Sequence, residues 1–410
     1  MARPDGFFAT ALLTLMAALG AISTDLYLPS LPGLARAFAA DVAEVQLTLS
    51  LFLAGLALGQ LVYGPLSDRY GRRPVLVAGL AIYVAASVAC MLAPTIEFLI
   101  AARFLQAIGA CVGLVLSRAV VRDVHGREGA ARILSYLSAA LAIAPLLGPI
   151  LGGYFEVWFG WRANFALLLG YGIVTIAGVG FFLPETNRAP DHGAMTPLGM
   201  LATYGMLIGE RRYLGYALSA TFAYSGIFCF ISGSSFVLID MIGLTPDAYG
   251  YCFAAIVVGY IIGAVIAGKL ARKVKYQHLI SAGGVISAAG GLLLLGLALA
   301  GHAGVVAIVL PAAIYMLGTG LVLPNSLAGA IGPYPRAAGA AAALAGFSQM
   351  TIASLIGAAI GHAADGTQMP MVVALAFCST AGPAAFLLLV RPWLPEPVTS
   401  APPAVPPRSP

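Results

Sequence analysis

Long apolar runs alternate with short charged or prolyl breaks along this chain. Runs over 7–31, 45–63, 75–93, 96–121, 133–155 and 165–183 come first. The plan then repeats over 214–239, 248–270, 279–299, 304–327, 337–362 and 372–390. Each run supplies about the 20 apolar residues a helix needs to cross a hydrocarbon core of roughly 30 Å. Backbone in lipid must satisfy its own hydrogen bonds, so the runs read as helices. The expectation is an all-α membrane protein with twelve transmembrane helices in two pseudo-symmetric six-helix halves. Residues 1–183 form the first bundle and 213–391 the second. The polar stretch 184–212, beginning PETNRAPDHG, is a cytoplasmic linker, and the proline-rich tail 392–410 is disordered. A degenerate repeat supports the doubling: Gly64, Pro65, Leu66, Ser67, Asp68, Arg69 after run two is echoed by Gly268, Lys269, Leu270, Ala271, Arg272, Lys273 after run eight. Two such halves are the layout of a transporter with its site at the midplane between repeats.

Composition sharpens this picture. With 60% hydrophobic and 9% charged residues, the chain is too apolar for a soluble globule, and the bilayer is its first partner. The net charge of +5 does not indicate nucleic acid, because the basic residues sit in short loops between runs. With the N-terminus inside, only four of the 21 lysines and arginines avoid the inner loops and termini. Arg36 and Arg162 fall outside, and Arg103 and Arg118 lie within run four. The positive-inside rule therefore places both termini in the cytoplasm. The five cysteines form no C-x-x-C pair and read as small buried hydrophobes. A membrane enzyme is disfavoured: no H-E-x-x-H, nucleophile elbow, paired acids or phosphate loop occurs, and no metal site is expected.

Candidate chemistry lies in the few polar residues inside the runs. Asp25 stands in run one, where insertion of an acid costs about 2.5 to 3.5 kcal/mol. It either serves an ion pathway or reaches the outer interface beside Tyr27. Arg103 needs a partner, for which Asp25 is the plain intramembrane acid; otherwise it snorkels outward. Gly148 and Gly152, four apart, give a flat helix face, while Pro145 and Pro149 permit bending. A mostly apolar cavity for a drug-sized neutral ligand draws on Tyr27, Gln46, Tyr136, Phe222, Tyr224, Phe228 and Gln349, with Phe230, Tyr315 and Asn325 as further candidates. Gly64 and Gly71 allow close approach and turning, Asp68 can sit near a helix N-terminus, and Arg72 can pair with Asp123.

The loop GPLSDRYGRRP over 64–74 matches the pattern G-x-L-[SA]-D-R-x-G-R-[RK] and resembles the major facilitator superfamily. TDLYLPSLP (24–32), LTLSLFLAGLALGQ (47–60) and FAYSGIFCFISGSSFV in run seven resemble its bicyclomycin and chloramphenicol (Bcr/CflA) branch of drug:proton antiporters. The resemblance implies a cytoplasmic latch at Gly64, Asp68, Arg69, Gly71, Arg72 and Asp123. It implies a proton-linked arginine in RFLQAIG at Arg103, which with Asp25 would couple the proton. It implies an antiporter motif at Pro145, Gly148, Pro149, Gly152 and Gly153 in APLLGPILGG. The same resemblance implies a monomer without cofactor in a bacterial inner membrane that exports antibiotics, driven by the proton gradient. A single clear intramembrane acid, where a second would favour cationic drugs, points to small neutral compounds, bicyclomycin- or amphenicol-like. A proton-coupled symporter or a metabolite exporter on the same scaffold is the alternative.

Overall fold

The computed structural model describes residues 7–187, 197–271, 273–335 and 337–390, without the side chains of 7, 125–132, 135–136, 138–140 and 197–201. The expected tail over 392–410, part of the linker and the Tyr136 side chain thus lie outside the described residues. Helices and turns make up what is described, with no strand among those residues. In order they are α1 (Phe7–Asp25), a 3₁₀ turn (Leu28–Ser30), α2 (Leu31–Phe38), α3 (Val42–Tyr70), α4 (Arg72–Met91), α5 (Ile96–Phe159), α6 (Trp161–Phe182), α7 (Pro197–Gly209) and α8 (Arg211–Ser235). A π-helical turn (Phe236–Met241), α9 (Pro246–Leu270), α10 (Tyr276–Leu299), α11 (Val305–Ile331), α12 (Ala338–His362) and α13 (Met369–Leu389) complete the order. Among the described residues, 12 segments are long and apolar enough to cross a membrane.

Local chemistry sets the helix limits. Asp41 caps α3 by accepting the Glu44 amide at 2.7 Å, while Glu44 accepts the Asp41 amide at 3.0 Å, a reciprocal box. Gly71, at φ +93°, is the one residue between α3 and α4. The expected loop over 64–74 is therefore mostly helix, since Pro65 is tolerated within α3 and only the positive φ at Gly71 breaks the chain. Gly64 has open space around its α-carbon, so no close backbone approach occurs there.

Three further departures bear on the site. Run one is longer than expected, Phe8–Phe38, and it is broken: α1 stops at Asp25, and Pro29 sits in the 3₁₀ turn before α2. The charged stretch after run four is helical, so α5 is continuous over 64 residues. A straight helix of that length would be about 96 Å long. Yet Arg103 near its start bonds the Ser23 carbonyl, and Glu156 near its end bonds the Ser30 hydroxyl. The chain therefore reverses between two arms of α5, 96–124 and 141–159. Finally, α7 is an apolar helix of 13 residues within the expected linker, packed against α8 and α12 with Leu207 fully buried.

The two halves meet along α3 with α12 and along the second arm of α5 with α9. At the end remote from Gly71, Arg36 pairs with Asp240 at 2.9 Å, and the Gln46 amide donates to the Ser232 carbonyl at 3.0 Å and accepts from the Ser232 hydroxyl. Further along, Ser354 donates to the Ser50 carbonyl at 2.6 Å, and the Gln60 side chain lies over Gly346.

Candidate functional site

Asp25 is the last residue of α1 and is 3% exposed. Its Cβ lies against Gly148 on the second arm of α5, and Tyr224 on α8 and Tyr249 on α9 lie within electrostatic range of its carboxyl group. The acid thus lies on the seam between the halves, not at the outer interface and not among lipid tails. No hydrogen bond or ion pair to its carboxylate occurs among the described residues. Neutralisation of a charge there has to come from what enters the site: a proton or a ligand.

Arg103 does not pair with Asp25. It is fully buried, so snorkelling is excluded. Its Nη1 donates to the Ser23 carbonyl at 3.0 Å and to Gln106 Oε1 at 2.7 Å. The guanidinium lies over Phe52 at 4.1 Å, Tyr27 at 4.6 Å and Phe165 at 5.8 Å. Aromatic faces attract a desolvated cation, which explains how it persists there without a carboxylate. Its consequence for Asp25 is positional, because Ser23 carries one of the carbonyls that the end of α1 leaves without a helical partner. Gln106 extends the network through Ser87 (2.8 Å), and Ser23 joins Tyr83 (2.7 Å).

The glycines of APLLGPILGG serve two faces. Gly148 meets Asp25 and Leu26, and Gly152 meets the Leu26 carbonyl, whereas Gly153 turns to Pro246 and Asp247 of α9. Gly113 on the first arm meets the backbone of Met16. A side chain at any of these points would drive neighbouring backbones or the acid apart, so the broken first span is gripped between both arms of α5.

The cavity candidates separate. Tyr27 is turned away from the seam: its hydroxyl bonds Thr48 and its ring packs on Arg103, because the turn after Asp25 points it into the first half. Phe222 packs edge-on against Phe377 of α13, within the second half. Tyr315 donates to the Ala223 carbonyl (2.8 Å), Asn325 donates to the Leu321 carbonyl (2.7 Å), and Phe230 packs on Phe253. At the seam itself stand Gln46, Tyr224, and Phe228 beside Gly357 and Ser50; Gln349 lies on α12, the helix that packs on α3, and its buried Nε2 has no partner among the described residues.

At the other end, Arg72 Nη1 pairs with Asp68 at 2.6 Å and its Nε with Asp123 at 2.9 Å. Asp68 closes α3 rather than opening α4. The anion at the N-terminus of α4 is Glu185, which accepts the Arg72 and Arg73 amides at 2.9 and 3.0 Å. Asn187 adds a bond to the Asp68 carbonyl at 3.0 Å, and the Arg69 guanidinium stacks on Tyr70. Sequence reasoning missed Glu185, Tyr249 and a second acid within a span, Glu156. The last carries a signal, since it continues the spacing of four from Gly148 and Gly152. Among the described residues no three His, Cys, Asp or Glu side chains gather in a metal-like group.

The family model for the Major Facilitator Superfamily matches residues 13–358. The chain belongs to the Major Facilitator Superfamily. This major facilitator transporter is 31% identical over 382 residues to an uncharacterized MFS-type transporter, YdgK, of Bacillus subtilis (strain 168), covering 93% of this chain and 94% of that protein. It is 26% identical over 366 residues to a bicyclomycin resistance protein homolog of Haemophilus influenzae, covering 89% of this chain and 92% of that one. Among solved structures it resembles a partially occluded, inward-open form of the xylose transporter XylE from E. coli. That match has a TM-score of 0.74 and 16% identity, and covers 95% of this chain and 98% of that one; it speaks to the fold alone.

Proposed function

We propose that this transporter exports small neutral antibiotics, bicyclomycin- or amphenicol-like, in exchange for protons, from a bacterial inner membrane with both termini cytoplasmic. The observation that carries the reading is Asp25: a buried acid at the break of span one, on the seam between the halves, with no cation paired to it among the described residues. A carboxylate so placed alternates between holding a proton and releasing it as the seam opens to either side. Each proton entering across 100 mV supplies about 2.3 kcal/mol, before any pH gradient. The drug meets Tyr224, Phe228, Gln46 and Gln349 along the same seam, a mostly apolar wall with few hydrogen-bonding groups, which suits neutral ligands. The name of the Haemophilus influenzae relative supports the drug class. Arg103 acts here by pinning the end of α1, and the Arg72 pairs with Asp68 and Asp123 tie α3, α4 and α5 together at the cytoplasmic end.

The test is drug-dependent proton flux in proteoliposomes holding the Asp25→Asn variant, with chloramphenicol and bicyclomycin as substrates. Loss of gradient-driven export with drug binding retained is expected. Full active export by the variant would remove the mechanism.

A further inference from the structure

Gly148, Gly152 and Glu156 lie on one face of the second arm of α5, each one turn beyond the last, and that face runs along the broken first span. Gly148 meets Asp25, Gly152 meets Leu26, and Glu156 accepts a hydrogen bond from the Ser30 hydroxyl and lies against Gly33. Eight residues of helix place Glu156 about 12 Å outward of Asp25.

Glu156 is half-buried, and its surroundings are polar by construction. Asn164 of α6, fully buried, donates from Nδ2 to the Ser30 hydroxyl at 2.8 Å and to the Gly152 carbonyl at 3.3 Å. It therefore spans the levels of Glu156 and Leu26. Its Oδ1 is buried without a partner among the described residues. The break in span one adds backbone carbonyls released from helical bonding. Charged groups facing the cluster are few. Arg36 on α2 lies within electrostatic range of Glu156 but pairs with Asp240 at 2.9 Å. Asp247 opens α9 beside Gly153. Arg162 on α6 is turned to the Ala93 carbonyl at 3.4 Å and to the Trp161 ring.

We propose that Glu156 is a second proton-carrying carboxylate, which takes a proton from the outer medium and passes it along the Ser30–Asn164 side of α5 to Asp25. The inference rests on proton coupling at Asp25. In the step, a proton from outer water forms an O–H bond on a Glu156 carboxylate oxygen. It leaves for water that enters beside Ser30 and Asn164 as the seam opens, each water molecule giving up one proton as it takes one, and ends on an Asp25 oxygen. Ser30 and Asn164, whose O–H and N–H both point toward Glu156, order that water and carry no proton themselves. A neutral side chain at 156 breaks the relay and leaves the drug site on the seam untouched.

The experiment compares the parent, Glu156→Gln, Glu156→Asp and Asp25→Asn in proteoliposomes, with chloramphenicol as probe, across a series of outer pH values. Two quantities are read: drug-dependent proton flux, and drug–drug exchange at equal pH without a gradient. For Glu156→Gln, flux falls by about tenfold, less than a fully committed proton carrier contributes because water partly substitutes. Exchange stays at the parent level, and Glu156→Asp restores most of the flux with a displaced pH profile. Parent-like flux and pH profile in Glu156→Gln would overturn the proposal, as would loss of exchange in step with flux, which marks a structural role. Should Glu156→Gln fail to fold, judged by drug binding, an unchanged pH profile in Glu156→Asp overturns it equally. If Asp25→Asn itself keeps parent flux, the coupling reading is what has failed; if only Asp25→Asn loses flux, the relay alone is wrong.

Discussion

Gly148→Ala tests whether contact at one α-carbon holds the acid in place. A methyl group there would sit 2.9 Å from the Asp25 Cβ and 3.3 Å from the Leu26 amide nitrogen, where ordinary contact begins at 3.4 Å. Asp25 has to retreat by about 0.5 Å or more, and overpacking of this kind costs about 1 to 3 kcal/mol. Against this, alanine gains about 1 kcal/mol of helix propensity over glycine. The right comparison is therefore Gly170→Ala on α6, an exposed helical glycine with nothing within 4 Å. Unfolding in detergent should place Gly148→Ala about 1 to 3 kcal/mol below Gly170→Ala. Gly152→Ala should be worse than either, because the obstacle is the Leu26 backbone carbonyl rather than a side chain. Drug-dependent proton flux should fall in Gly148→Ala and hold in Gly170→Ala. Equal stability and equal flux in those two variants would refute the idea that this glycine face positions Asp25.

Other substitutions probe separate parts of the frame. Arg103→Met strands the Ser23 carbonyl and Gln106 Oε1 and removes the cation from three rings, so unfolding should show a loss of about 3 kcal/mol or more; Arg103→Lys should recover little, since an ammonium cannot stack as a planar fork does. Arg36→Gln breaks an ion pair whose partners are 67% and 42% exposed, and its stability should change by less than about 1 kcal/mol on unfolding. A loss above roughly twice that would show the pair to be a structural tie between the halves.

The spans were legible because bilayer thickness imposes one length and one hydropathy on every crossing helix. Asp25 was legible for the same reason, as a costly exception. Its surroundings were not, because its neighbours come from far along the chain: Gly148 from α5, Tyr224 from α8 and Tyr249 from α9. Arg103 was read as needing an acid, since in sequence only charge stands out. Its actual partners, Tyr27, Phe52 and Phe165, look like ordinary core aromatics until the fold assembles them. The break after Asp25 had a local signal in Pro29 and Pro32, but apolar neighbours hid it. Glu156 fell one residue beyond the expected end of its run, so a boundary error of one residue concealed a second acid. Glu185 was unreadable as a cap because 113 residues separate it from the Arg72 amide it holds.

The second arm of α5 has bare backbone on both flanks, α1 on one side and α9 on the other. The α9 side is tightened again at Gly250, which meets the Pro149 and Ile150 backbone, while the α1 side gains a second grip from the first arm at Gly113. If the halves part at their outer end, α1, held by both arms of α5, is expected to travel with α5 and away from α9. Such a parting would unveil the acid from the side of Tyr224 and Tyr249, with its own helix end undisturbed.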